Sequence, residues 1–266
     1  MGNNAQRILD ENSAQYLSFS KSVASRQSYP TSQMGSMALL RQMYMDADWY
    51  ATGASKTKDL SLEALIENKN LPQIFAAGSK MTALRADKVG DEHNVQYILL
   101  GGGDEYERID EIKRTNATYI IPINFRNAYD VENTFLSNSL SLSDMKAWNQ
   151  EPTNPKVLSD NNVPFALTTH SLKSSKDFKS KLMQAIEHGF DKTKALEALT
   201  TVPAKLLGKS NSLGSLKNGA HANFLITSGD IFDKKTKLYE NWVQGKKHLI
   251  EAVSYTHLTL PTICSV

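Results

Sequence analysis

An α/β fold is predicted for this chain of 266 residues by three observations. Near-continuous apolar runs of strand length recur between segments with helical periodicity, a pattern typical of a parallel sheet covered on both faces. Hydrophobic residues make up 40% of the chain and charged residues 22%, which is enough apolar material for a core. Two more short runs near the carboxyl end resemble strands of a separate β-module.

The amino-terminal part is polar until the first clear helix. Residues 6–26 have only a weak helical pattern, and residues 28–32 predict a turn from which a helix can start. An amphipathic helix is predicted over residues 32–50, followed by a short helix over residues 60–68. The apolar residues that recur at helical spacing in the first helix are Met37, Leu40, Tyr44 and Ala47.

The middle of the chain alternates between strands and helices. The predicted strands are residues 71–77, 95–100, 118–123 and 163–168. The intervening helices are predicted at residues 79–88, on the stripe of Tyr106, Ile109 and Ile112, near residues 144–148, and on the face of Phe178, Leu182 and Ile186. Four strands with their helices are about half of a (β/α)8 barrel. The β-module strands are predicted at residues 222–227 and 238–244.

A specific pattern lies between Ala195 and Asp230. A helix leads into a proline-started turn with the sequence PAKLLG at residues 203–208, and LGSL follows at residues 213–216. The pattern resembles the carboxyl-terminal signature of the amidohydrolase superfamily, in which the last barrel helix leads to a small β-domain. Residues 28–50 and the strand–helix series also resemble the imidazolonepropionase-like group of that superfamily.

The resemblance implies a division of the chain into a partial TIM-type barrel and a β-sandwich module. The barrel part, about the carboxyl-terminal half of a complete barrel, is assigned to residues 1–212, and strands of the module to residues 213–250. Residues 252–266 resemble translated sequencing-adaptor sequence, so we expect a non-native tail; the alternative is an ordinary edge strand. The chain has a single cysteine, Cys264, which lies in this tail. A single cysteine excludes a disulfide framework and leaves the cellular compartment undecided.

The same resemblance implies hydrolysis of a C–N bond, in an amide or a cyclic amide, with zinc or a similar divalent metal. In this superfamily a His-x-His pair ends the first barrel strand, single histidines end the fifth and sixth, and an aspartate ends the eighth. The metal lowers the pKa of a bound water, and the aspartate moves the proton. The implied partners are a small-molecule or peptide-like substrate and the missing upstream barrel strands.

The register of the signature makes the four predicted strands the fifth to the eighth of a barrel. The sequence contains no His-x-His. The fifth strand ends at Ala76, the sixth ends at Gly101, and His170 stands where the eighth-strand aspartate is expected. No metal ligand and no cofactor are therefore assigned to this segment, although zinc is implied for an intact domain.

His170 is the candidate catalytic residue. It could ligate a metal or act as a base, and the alternative is an exposed loop histidine at a strand end. The glycine triplet at residues 101–103 could hold a phosphate on backbone N–H groups, but Asp104 and Glu105 follow at once and would repel an anion. Close packing of the strand on the next helix is the preferred interpretation of the triplet.

Charge and motifs exclude several classes of function. The net charge is +2 without a block of like charges, so no nucleic-acid partner is expected. No apolar run approaches the length of a membrane span, and no Gly-x-Ser-x-Gly motif is present. Two hypotheses remain: part of an amidohydrolase-family hydrolase that lacks its first-strand metal ligands, and a degenerate barrel domain with a structural or binding role in a larger multidomain protein.

Overall fold

The computed structural model describes residues 12–21, 25–250 and 262–265. The chain divides into two compact units. The first unit comprises Met1–Ile121 and Asn161–Val163, and the second comprises Pro122–Asp160 and Pro164–Val266. Within the described ranges, no helix combines the length and the apolar character that a bilayer span requires.

A parallel sheet forms the centre of the first unit. Its strands are β1 (Gln15–Ser18), β2 (Gln73–Ala76), β3 (Tyr97–Leu100) and β4 (Thr118–Pro122), in that spatial order. Ser18 pairs with Ala76, and Ala76 pairs with Leu100, so the carboxyl ends of β1, β2 and β3 lie at one edge. The predicted α/β class with a parallel sheet is confirmed.

Helices cover this sheet and begin at capping residues that the sequence supplies. They are α1 (Gln33–Ala51), α2 (Leu60–Glu67), α3 (Lys80–Glu92) and α4 (Ile109–Arg114). Ser32, Asp59 and Ser79 each accept a backbone N–H of the following first turn. The unit's core contains Phe75, Ala83, Ala86, Val89, Leu99, Ile112 and Tyr119, all buried.

Strand β1 differs from the sequence-based expectation. Residues 6–26 have a weak helical pattern, yet residues 15–18 within them form an edge strand. Leu17 pairs with Phe75 of β2, while Tyr16 is 62% exposed. Pairing with a distant strand therefore overrides the weak local preference.

The second unit combines one strand of the α/β pattern with an antiparallel sheet. Its strands are β5 (Phe165–Thr168), β6 (Phe224–Thr227), β7 (Leu238–Val243), β8 (Lys246–Leu249) and β9 (Thr262–Ser265). The last four form a sheet of order β8-β7-β6-β9. Strands β6 and β7 coincide with the two predicted strands of the β-module. The sandwich and the boundary at residue 212 stay predictions. So does the non-native origin of residues 252–266, of which residues 252–261 and 266 lie outside the described residues.

The helices of the second unit pack around a small apolar core. They are α5 (Thr134–Ser137), α6 (Leu142–Gln150), α7 (Asn154–Asp160), α8 (Phe178–Glu187), α9 (Lys192–Leu199) and α10 (Thr201–Leu206). The predicted proline-started turn is wrong, because Pro203 lies inside α10. Proline is tolerated there, since the N–H groups of a first helical turn need no partner within the helix. Core residues include Leu158, Leu182, Ala185, Phe190 and Ala195.

Candidate functional site at the carboxyl ends of the strands

The loops that follow β2 and β3 are joined by backbone contacts. The N–H groups of Ala77 and Gly78 both donate to the carbonyl oxygen of Leu100, at 2.9 and 3.1 Å. Gly78 has a φ of +69°, a left-handed conformation that favours glycine. The loop after β2 therefore turns over the end of β3.

Gly102 lies against the backbone of this turn. A Cβ added to Gly102 would lie 2.3 Å from the carbonyl oxygen of Gly78, far closer than two such atoms can approach. Any side chain at position 102 would force the two loops apart. The predicted packing of the strand on the next helix is therefore wrong in its partner: Gly102 packs closely against the turn before α3, at Gly78 and Ser79.

Glu105 fills the space beside Gly101. Its side chain is fully buried, and its Oε1 accepts the N–H of Gly102 at 2.8 Å and that of Gly103 at 3.3 Å. A Cβ on Gly101 would lie 2.0 Å from this oxygen. Because Glu105 uses these two N–H groups, the phosphate interpretation of the triplet is wrong.

An ion network closes the same edge of the sheet. The backbone N–H of Lys80 donates to Asp104 Oδ1 at 2.7 Å, and its Nζ lies 3.1 Å from Asp104 Oδ2 and 2.9 Å from Glu107 Oε2. Burial lowers the pKa of Lys80, but the bonds to Glu107 and Asp104 outweigh this effect and raise that pKa above its ordinary value. Lys80 is therefore a charged link between the start of α3 and the loop after β3.

The residues at these strand ends do not fit a divalent metal. A zinc site requires at least three histidine, cysteine or carboxylate ligands. No cluster of three such residues with a geometry that could hold a metal occurs in the part of the chain that the structure describes. Ala76 and Gly101 offer no donor side chain. The carboxylate of Glu105 is buried and hydrogen-bonded to backbone, and those of Asp104 and Glu107 are paired with Lys80.

His170 follows β5 in the second unit. Its side chain is exposed, and its backbone N–H donates to Thr168 Oγ1 at 3.1 Å. Ser171, the next residue, has a φ of +65°, so the chain turns sharply at this point. Both interpretations of His170, a site residue and an exposed loop histidine, remain compatible with this placement.

A cleft of about 330 Å³ lies next to this turn, within the second unit. Ser171 lines it on the side of His170. The polar and charged residues that line it are Asn124, Asn127, Lys173, Asp177 and Lys181. Lys181 Nζ donates to the carbonyl oxygen of Phe125 at 2.8 Å, which fixes one positive charge in the wall of the cleft.

Other histidines have local structural roles. His93 follows α3, and its ring centroid lies 5.0 Å from that of Tyr44, so it is half-buried and not the surface residue that its polar turn predicts. His188 caps α8, with its Nδ1 2.7 Å from the carbonyl oxygen of Gln184. A histidine at a helix carboxyl end is favoured by the helix dipole.

Two features of the site escape sequence reasoning. From the sequence, Glu105 is only an acid that would repel an anion, although an acid two residues after a glycine triplet is also placed to accept the triplet's N–H groups. The cleft residues Lys173 and Lys181 were not singled out. The available signal was a lysine-rich segment, residues 173–181, directly after a predicted strand.

Comparison with known proteins assigns the family. A family model described as "Amidohydrolase family" matches residues 76–251, more than half of the chain. The chain belongs to the amidohydrolase family. No curated protein matches it. Members of this family generally use a divalent metal, which the strand ends described above do not accommodate.

Solved structures of amidohydrolase-family proteins share the fold. An amidohydrolase from Thermotoga maritima MSB8 is 18% identical, with a TM-score of 0.71 over 90% of this chain, and the chain spans 63% of its length. A prolidase complexed with N-methylphosphonate-L-proline is 13% identical, with a TM-score of 0.53. The match covers 90% of this chain and 69% of the prolidase chain. Another amidohydrolase is also 13% identical, with a TM-score of 0.53. The match covers 89% of this chain and 68% of that amidohydrolase.

Proposed function

We propose that this chain is the carboxyl-terminal part of an amidohydrolase barrel that no longer supports metal-dependent catalysis and that serves a binding role in a larger protein. The observation that carries the proposal is the contact between Gly101 and Glu105. The register of the family signature calls for a histidine at this strand end, and a Cβ there would lie 2.0 Å from Glu105 Oε1.

The contact cannot be relieved cheaply. Moving the Glu105 carboxylate would leave the N–H groups of Gly102 and Gly103 without the acceptor that they have now. A shift of the loop is opposed by Gly78, whose carbonyl oxygen already touches the space next to Gly102. The local structure is therefore built around the absence of a side chain at the sixth-strand position.

Zinc stoichiometry tests this proposal. The purified full chain, incubated with zinc and then desalted, should retain well under one equivalent by elemental analysis. The His170→Ala variant is the matched control, because it removes the histidine that follows β5. One equivalent of zinc that resists desalting in the parent chain and is lost in His170→Ala would overturn the proposal.

A second candidate function is catalysis: the chain is part of an active hydrolase. In this version the chain belongs to an imidazolonepropionase-like enzyme that cleaves amide or cyclic amide bonds, and upstream barrel strands supply the His-x-His pair. The match to the family model and the prolidase among the structural neighbours favour it. His170 would then act as a base or ligand. An amide-hydrolase activity of the longer protein that disappears in His170→Ala but persists in His221→Ala would support this candidate.

A further inference from the structure

We propose that a cavity at the amino ends of β1, β2 and β3 binds a small, neutral, mostly apolar molecule that carries a hydrogen-bond donor, of the size of a five-membered N–H heterocycle. The cavity has a volume of about 70 Å³ and lies within the first unit. Gln15 and Gln73, the first residues of β1 and β2, both line it. The cavity is therefore at the opposite end of the strands from the glycine triplet, and the inference is independent of which candidate function holds.

The side-chain oxygen of Gln15 is an acceptor without a donor. Gln15 Oε1 is buried, and no group in the described part of the chain donates a hydrogen bond to it. The backbone at this position is held, because the N–H of Gln15 donates to the carbonyl oxygen of Pro72 at 2.9 Å and the residue pairs with Gln73. A buried acceptor that lacks a donor destabilises the folded state, and a ligand that brings a donor removes this cost.

Gln73 places a second amide beside the first. The two glutamines are register partners on adjacent parallel strands, whose backbones lie about 4.8 Å apart. Gln73 is 7% exposed, and its Nε2 donates to the carbonyl oxygens of Asn68 at 2.8 Å and Leu71 at 2.9 Å. These two bonds use both N–H groups of the amide, so its oxygen is the atom left for a ligand. Both glutamines thus favour a molecule that donates a hydrogen bond.

Most of the remaining wall is apolar or aromatic. The rings of Tyr44 and His93 line it with their centroids 5.0 Å apart, and the Tyr44 hydroxyl is already bonded to that of Tyr97. The aliphatic residues of the wall are Ala47, Ala51, Leu65, Ile66 and Val95. Asp48 Oδ1 and Lys69 Nζ also lie at the cavity, 3.8 Å from each other, so their charges offset one another. A neutral ligand fits these surroundings better than an ion, which would lose its hydration.

The volume of the cavity limits the size of the ligand. A buried water needs about 15 Å³, and sites for drug-sized ligands begin near about 300 Å³. The cavity therefore holds more than one water and less than a drug-sized molecule. The exposed side chains of Asp48 and Lys69 mark the side that faces solvent, where a ligand can enter. A flat five-membered ring with an N–H group meets these limits and matches the aromatic wall and the acceptor of Gln15.

Titrations of the ¹⁵N-labelled full chain with pyrrole and with furan test the inference by NMR. The two rings have nearly the same shape, but pyrrole carries an N–H donor where furan carries an oxygen acceptor. Pyrrole should shift the backbone amide signals of Gln15, Ala47 and Val95 with saturation, while the signals of the glycine triplet stay in place. Furan should bind about tenfold more weakly, because it leaves Gln15 Oε1 without a donor.

Matched variants separate recognition of the donor from the cavity itself. Gln15→Leu removes the acceptor at similar side-chain volume, so it should weaken pyrrole binding about tenfold and erase the preference for pyrrole over furan. Gln42→Leu, at an exposed position of α1 that does not line the cavity, should leave that preference intact. Retained backbone spectra outside the cavity establish that each variant is folded.

Three results would each overturn the inference: furan that binds as tightly as pyrrole, a preference for pyrrole that survives Gln15→Leu or is lost equally in Gln42→Leu, and the absence of saturable shifts. The last result would mean that the cavity holds only water. Zinc retention is a separate measurement at the other end of the strands, so a failed proposal on metal loss is distinguishable from a failed cavity.

Discussion

The carboxylate of Glu105 lies where a side chain of residue 101 would begin: a Cβ on Gly101 would be 2.0 Å from Glu105 Oε1. Glu105 belongs to the 3-10 turn that follows the glycine triplet, and its side chain is fully buried. The space beside this strand end is therefore filled by an internal, hydrogen-bonded carboxylate. The contact of Glu105 with the triplet is structural.

Glu105→Ala should destabilise the first unit by about 2–4 kcal/mol, since it leaves two partly buried N–H groups without their acceptor and opens a cavity. Chemical denaturation followed by circular dichroism measures the loss. Glu107→Ala is the matched control from the same turn. It removes only a partly exposed ion pair with Lys80, so its cost should stay below about 1 kcal/mol. Equal losses in the two variants would contradict the structural role of Glu105.

Gly102→Ala should also destabilise the first unit, by about 1–3 kcal/mol, because the added methyl group meets the backbone of Gly78 at 2.3 Å. Thermal unfolding of the variant measures the effect. Gly229→Ala serves as the control, since its added methyl group would meet nothing nearer than Thr236 Oγ1 at 3.5 Å. A Gly102→Ala protein as stable as the control would show that the two loops can separate without cost.

The sequence predicts the buried strands better than the edge strand. Strands β2, β3, β4 and β5 lie inside the apolar runs predicted for them, because a strand covered on both faces must be apolar along its length. Strand β1 has no such run. Its residues alternate between half-buried and exposed, and its pairing with β2 depends on residues more than fifty positions away.

The site is only partly visible in the sequence. The absence of ligands at Ala76 and Gly101 follows from residue identities alone. The role of Glu105 depends on how its side chain turns back onto the triplet, which no spacing rule specifies. The cleft near His170 depends on two loops, residues 124–127 and 171–181, that are brought together by the fold. Residue identity therefore shows which donor side chains a strand end offers, and only the three-dimensional contacts show which group fills the space beside it.

The phenol groups of Tyr44 and Tyr97 form a buried pair, with their oxygens 2.6 Å apart. Burial raises the pKa of both phenols, so both stay neutral. Tyr44→Phe or Tyr97→Phe should each lower the free energy of unfolding by about 1–2 kcal/mol, because each leaves the remaining hydroxyl without its hydrogen-bond partner. The double variant should cost less than the two single losses together, as a denaturation cycle would measure. Tyr16→Phe, at a 62% exposed residue, is the control, and additive losses would contradict the pairing.

Asp87 makes the stability of the first unit depend on pH. Burial raises the pKa of this carboxyl from 3.8 to about 6, and the charge of Asp91 adds to the effect. The folded protein therefore holds a proton that the unfolded chain releases between about pH 4 and 6, so stability must fall as pH rises through that window. Such a change in pKa corresponds to about 3 kcal/mol, which solvent screening at a half-buried group reduces to about 1–2 kcal/mol.

Asp87→Asn should remove this dependence, because the amide carries no charge at either pH. The variant should be about 1–2 kcal/mol more stable than the parent at pH 7, and nearly equal to it at pH 4, where Asp87 is already protonated. Urea denaturation at both pH values measures the difference. Asp110→Asn, at an exposed position of α4, should show no gain at pH 7. The expected stability of the parent protein falls as the pH rises from 4 to 6. A rise over this range that is absent in Asp87→Asn would have the opposite sign and would contradict the buried-carboxyl explanation.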